Sequence, residues 1–159
     1  MKQSIITMEI MNNALECIAR DFPDANNNGL TKSARATKSS PLDDKNDKEI
    51  LRQVQTAFEW TEQAVYFCGV YRTFSKTATS SYGLKHTIEW WGKANGLEPY
   101  VCNMAAIVAF YIHPKVKIKL IGNSCNPITN IKTSRIGNPA NEYTKDSLMR
   151  CGNSYFNYF

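Results

Sequence analysis

The chain is poor in the residues that build most metal and nucleophilic sites. Only two histidines, His86 and His113, occur in 159 residues. The five cysteines, Cys17, Cys68, Cys102, Cys125 and Cys151, are widely separated and form no C-x-x-C pair. Structural zinc usually draws on closely spaced ligand pairs, so a site assembled from Cys102, His113, Cys125 and Cys151 is disfavoured, and no metal or other cofactor is expected. An odd number of scattered cysteines also differs from the framework of a disulfide-stapled secreted domain. Five free thiols in a reducing cytoplasm are therefore expected. Long apolar runs are scarce too. The longest, Met104 to Ile112, is about half of the roughly 20 residues that cross a bilayer, so a core helix rather than a membrane span is expected there. The first residues lead into a segment carrying Glu9 and Glu16, without the apolar stretch and small-residue cleavage site of an export signal. No glycine-rich phosphate loop and no internal repeat is visible.

The composition is that of a folding chain. Hydrophobic residues make up 43% and charged residues 21%, near the globular average, and the length suits one domain covering 1–159. Ile6, Ile10, Ala14 and Ile18 form an apolar stripe with Met11 and Leu15 beside it, the pattern of an amphipathic helix, which Pro23 ends. From 23 to 48 the only large apolar residues are Leu30 and Leu42 among Asn, Ser, Gly and Pro, which predicts an exposed loop or linker. Asp47 is placed to cap a helix whose stripe runs Ile50, Val54, Ala57, Phe58, Thr61, Ala64, Val65, Cys68, Tyr71. Leu51, Trp60, Tyr66, Phe67 and Val70 cover more of its surface, so it should pack on more than one side. Ser80 or Ser81 can cap a helix from about Tyr82 to Lys93. Asn95 and Gly96 then turn the chain, and Pro99 suits the first position of an apolar helix over Tyr100 to Ile112. Pro114 stops it.

Beyond Pro114, Val116, Ile118 and Leu120 alternate with Lys115, Lys117 and Lys119, the period of a half-buried strand. Ile128 and Ile131 are expected on a partner strand, giving a small antiparallel sheet near 115–133. A short helical piece is expected from Glu142 to Met149, followed by an aromatic tail with Tyr155, Phe156, Tyr158 and Phe159. The fold class is thus α+β, mainly helical, around the central apolar helix 100–112.

Charge is unevenly placed along the chain. Arg72, Lys76, Lys85, Lys93, Lys115, Lys117, Lys119, Lys132 and Arg135 face only Glu89 and Glu98 between Val70 and Arg135, a balance of +7 in a chain whose total is +5. Such a basic face attracts phosphate, because neutralised phosphates release condensed counterions. Trp90, Trp91, Tyr100 and Tyr111 lie near it in sequence and offer stacking surfaces. The competing reading is that lysines protect a sheet edge and keep the chain soluble. A base-reading helix-turn-helix needs a second helix with a polar exposed face, and the apolar 100–112 segment fails that requirement. Catalysis is not expected either. A Cys102 and His86 dyad is conceivable, since Cys102 falls near a positive helix end and Glu89 can orient His86. Val101, Ala105 and Ala106 argue instead that Cys102 is a small core side chain.

The run Ser80, Ser81, Tyr82, Gly83, Leu84, Lys85, His86, followed by Tyr100, Val101, Asn103, Ala105 and Ile107, resembles a segment of small uncharacterised proteins of phages and conjugative elements. Met104 stands where those segments often carry glycine. The resemblance implies a mobile-element origin and no catalytic residue. Two functional expectations follow. The first is a cytoplasmic, non-enzymatic accessory protein that contacts nucleic acid or a nucleoprotein complex through the nine basic residues named above. The alternative is an inhibitor or adaptor that binds a host protein, for example an anti-CRISPR or other anti-defence protein, through aromatic surface and the C-terminal tail.

Overall fold

The computed structural model describes residues 4–32 and 39–136. The expected Glu142 to Met149 helix and the aromatic tail lie outside them. Within them the fold is the expected mainly helical α+β arrangement, with four helices and a two-stranded antiparallel sheet.

Helix α1 spans Met8–Asp21, capped by Thr7, whose hydroxyl accepts from the Ile10 amide. Its buried residues are Met11, Ala14, Leu15 and Ile18, whereas Ile10 is 40% exposed. The buried stripe is therefore centred on Met11 and Leu15, turned away from Ile10. Helix α2, Lys48–Cys68, starts at the expected cap, with Asp47 accepting from the Glu49 and Ile50 amides. It packs against α1 and against the two later helices, α3 (Ser81–Ala94) and α4 (Asn103–Ile112). This explains why Trp60, outside its main stripe, is fully buried. Tyr66, by contrast, remains at the surface.

Helix α4 is the centre of the core. Met104 to Phe110 are buried without exception, and Trp60 of α2 meets Phe110 edge to face at 6.5 Å. The helix starts later than Pro99 suggests, with Cys102 as its cap. Two side chains from other helices hold the preceding residues outside the helix. Glu89 Oε1 accepts the Val101 amide at 3.1 Å, and the buried Gln53 accepts the Cys102 amide at 2.8 Å. Satisfied in this way, those amides need no helical partner.

Within the 23–48 stretch, expected as an exposed loop or linker, several of the described residues pack into the fold. Ala25, Asn26 and Leu30 are buried, and Asn26 and Gly29 bridge to each other in a tight turn. The Leu30 amide donates to the Cys125 carbonyl at 2.8 Å. A Cβ on Gly29 would lie 2.3 Å from that same oxygen, so only glycine allows the two segments to approach so closely. Pro41–Asp44 forms a 3-10 turn with a capping box from Ser40 and Asp43, and Pro41 is buried.

Strands β1 (Ile118–Lys119) and β2 (Ile128–Thr129) pair with Ile118 opposite Thr129 and Lys119 opposite Ile128. On the other side of β2, Ser80 bridges to Ile128, and just past the end of the strand Val70 bridges to Ile131. The 71–79 segment thus loops out between two points anchored to the sheet.

Candidate nucleic-acid interface

Alternation in the 115–120 segment is realised beyond the two residues of β1. Lys115, Lys117 and Lys119 are exposed, Val116 is buried, and Ile118 and Leu120 are half-buried. Asn130, 2% exposed, fixes this segment to its neighbours. Its side-chain oxygen accepts the Lys117 amide at 2.8 Å, and its amide nitrogen donates to the carbonyls of Tyr71 (3.0 Å) and Lys115 (3.3 Å). The Tyr71 amide in turn donates to the Asn130 carbonyl at 2.7 Å. One buried side chain therefore ties the lysine arm, β2 and the 71–79 loop together.

The loop contributes Arg72 and Lys76, both exposed, together with two rings that approach one lysine of the sheet and one just beyond it. Lys132 Nζ lies 5.3 Å from the Tyr71 ring centroid and Lys119 Nζ lies 5.8 Å from that of Phe74. Both distances are within the range of cation–π attraction. Of the nine basic residues singled out from the sequence, Arg72, Lys76, Lys115, Lys117, Lys119 and Lys132 thus fall on neighbouring segments around β2. Arg135 closes the 3-10 turn Thr133–Arg135 that follows. Residues 69–80 and 113–136 carry seven Lys and Arg and no Asp or Glu, so the whole +7 belongs to this part of the fold.

The other two basic residues lie elsewhere. Lys93 is exposed near the C-terminal end of α3, about 18 Å along the helix from Ser81 at 1.5 Å per residue. Lys85 is 8% exposed, and its placement corrects the expectation of a free phosphate contact. Its Nζ donates to Glu89 Oε1 at 2.9 Å and to the Val101 carbonyl at 3.1 Å. It also lies 5.8 Å and 5.2 Å from the Tyr82 and Tyr100 ring centroids. The i, i+4 spacing of Lys85 and Glu89 was present in the sequence; the carbonyl of Val101 that completes the site was not.

His86 and Glu89 meet as their spacing predicts, with Nδ1 and Oε2 3.0 Å apart. Cys102 is engaged differently. Its sulfur accepts the Ala105 amide at 3.3 Å, and burial raises its pKa, outweighing the helix-end hydrogen bonds that act the other way. A thiol in that state is a poor nucleophile. His113 is buried against Phe58, ring centroids 5.7 Å apart, and its Nδ1 accepts the Lys115 amide at 3.2 Å. Burial first, and the nearby Lys115 second, lower its pKa. Cys17, Cys102 and Cys125 are free thiols, Cys68 is buried in the core, and Cys151 lies outside the described residues. Among the described residues no group of three or more His, Cys, Asp or Glu side chains is placed to hold a metal ion, and no helix is long and apolar enough to cross a membrane.

A second buried polar centre lies at the start of α4 and was not anticipated from the sequence. Asn103 accepts from the Ser81 hydroxyl at 3.0 Å and donates to the Asn28 carbonyl at 2.7 Å and to Asn126 Oδ1 at 2.9 Å. It joins α3, α4, the 26–29 turn and the segment leading into β2. Comparison of the chain with family models, with curated proteins and with solved structures finds no match in any of the three.

Proposed function

We propose that this is a non-enzymatic accessory protein that contacts nucleic acid, or a nucleoprotein complex, through the basic face around β2. One observation carries the reading: segments separated in sequence bring Arg72, Lys76, Lys115, Lys117, Lys119 and Lys132 around one small sheet, with no carboxylate in residues 69–80 or 113–136. Phosphate contacts of this kind supply most sequence-independent affinity. Edge protection alone needs lysine on the strand; it does not call for the further basic residues Arg72 and Lys76 on the adjoining loop. A mobile-element origin and a cytoplasmic setting remain part of the proposal.

Charge reversal tests it. The triple variant K115E/K117E/K119E alters side chains that are exposed and leaves the apolar side of the arm intact. In a gel-shift assay with mixed-sequence oligonucleotides it should bind at least about tenfold more weakly than the parent chain, since each neutralised phosphate contributes to the counterion release that drives association. Equal binding by the two proteins would refute this assignment of the face.

The second reading, an inhibitor or adaptor of a host protein, is favoured by exposed Tyr66, Tyr82, Trp90 and Tyr100, because aromatic side chains dominate protein-binding hot spots. A defined host complex that survives nuclease treatment supports it, whereas one that dissolves supports nucleic-acid contact.

A further inference from the structure

Tyr82, His86 and Trp90 follow at four-residue steps on α3, a spacing that lines side chains along one helix face. Tyr82 is 51% and Trp90 55% exposed, and Tyr100, from the segment before α4, is 57% exposed. The rings are held rather than loose. Tyr82 and His86 meet edge to face with centroids 4.8 Å apart, and buried Lys85 lies within 6 Å of both the Tyr82 and Tyr100 rings. Glu89, the carboxylate on this face, is neutralised by Lys85 and engaged by His86. Glu89, Trp90, Lys93 and Pro99 line a hollow of about 280 Å³ at the far end of the row. The near end adjoins the basic sheet, because Ser80, two residues before Tyr82, is bridged to Ile128 of β2.

We propose that this row is a stacking platform for the bases of an unpaired nucleic acid strand, whose phosphates are held by the basic sheet at one end and by Lys93 at the other. The inference rests on the function proposed above and narrows it to single strands. Base-on-aromatic stacking is worth roughly 1–3 kcal/mol per base, and every unpaired base has a free face to offer. In a duplex those faces are already covered, so rings on a convex helix gain little from it. Charge complementarity points the same way. The row is flanked by lysines at both ends, and its carboxylate is already paired.

Trp90 is the natural reporter, because the other two tryptophans, Trp60 and Trp91, are 0% and 4% exposed. A short oligo(dT) strand and a blunt duplex of equal length are titrated into the full chain, with tryptophan emission and fluorescence anisotropy read in parallel. Oligo(dT) should quench the emission and bind more tightly than the duplex. Tyr82→Ala and Trp90→Ala should each weaken oligo(dT) binding by about tenfold, and Trp90→Phe, which keeps a ring, should restore most of it. If oligo(dT) binds without quenching Trp90, or the two alanine variants bind as the parent does, the platform is refuted while the basic-face reading stands. A duplex that binds as tightly as oligo(dT) has the same meaning. If neither ligand binds at low ionic strength, both readings fall together.

Discussion

Three side chains show how single residues set the architecture. Asn103 and Asn130 are buried amides that meet their hydrogen-bonding needs by joining segments far apart in sequence. Leaving such partners unmatched costs about 1–3 kcal/mol per group, so each acts as a fixed joint. His113 is the third. Its Nδ1 must stay unprotonated to accept the Lys115 amide, and its pKa is lowered by burial and by Lys115. The unfolded chain takes up this proton near the ordinary value of 6.5, while the folded chain resists it to lower pH. Between those two points the unfolded state holds more protons, so stability falls as pH drops. Urea denaturation between pH 7 and pH 5 should show this loss, and His113→Gln should reduce its slope. An unchanged slope in the variant would mean that His113 titrates alike in both states.

At the scale of elements, α3 and the start of α4 are joined through Glu89, which serves Lys85, His86 and the Val101 amide together. Removing the carboxylate leaves a buried ammonium with no counter-charge, held only by the neutral Val101 carbonyl and two ring faces, whereas removing the ammonium leaves a carboxylate that still has two hydrogen-bond partners. Glu89→Ala should therefore destabilise the protein by about 3 kcal/mol, and Lys85→Met by less. Thermal unfolding of both variants checks the order, and a larger loss for Lys85→Met would contradict it. Much of this level was legible in the sequence. The cap at Asp47, the extent of α3, the apolar character of α4 and the alternation from Lys115 to Leu120 all follow from local pattern. What local pattern cannot register is a partner supplied from elsewhere. The delayed start of α4 depends on Gln53 and Glu89, and the burial of Leu30 depends on the backbone of Cys125. The same limit hid the burial of Lys85, which counts as a basic residue in sequence and is neutralised in the fold. Half of the candidate site, the lysine arm, was readable from its period of two. Its union with Arg72 and Lys76 was not, because it depends on two isolated bridges across β2.

For the whole molecule, the organising fact is the separation of charge from the core. The helices carry most of the buried apolar cluster, and the small sheet with its two flanking segments carries seven basic residues without an acidic one. Affinity for a single strand that uses three to seven of these cations should fall linearly with the logarithm of salt concentration, with a slope between about −2 and −5. Fluorescence anisotropy of a labelled mixed-sequence oligonucleotide, titrated with the protein from about 20 to 200 mM salt, measures that slope directly. The charge distribution predicts tight binding at the low end, a slope in that range, and a slope shallower by about 2 in K115E/K117E/K119E. No binding at the lowest salt, or binding that does not respond to salt, would contradict a nucleic-acid role for the basic face.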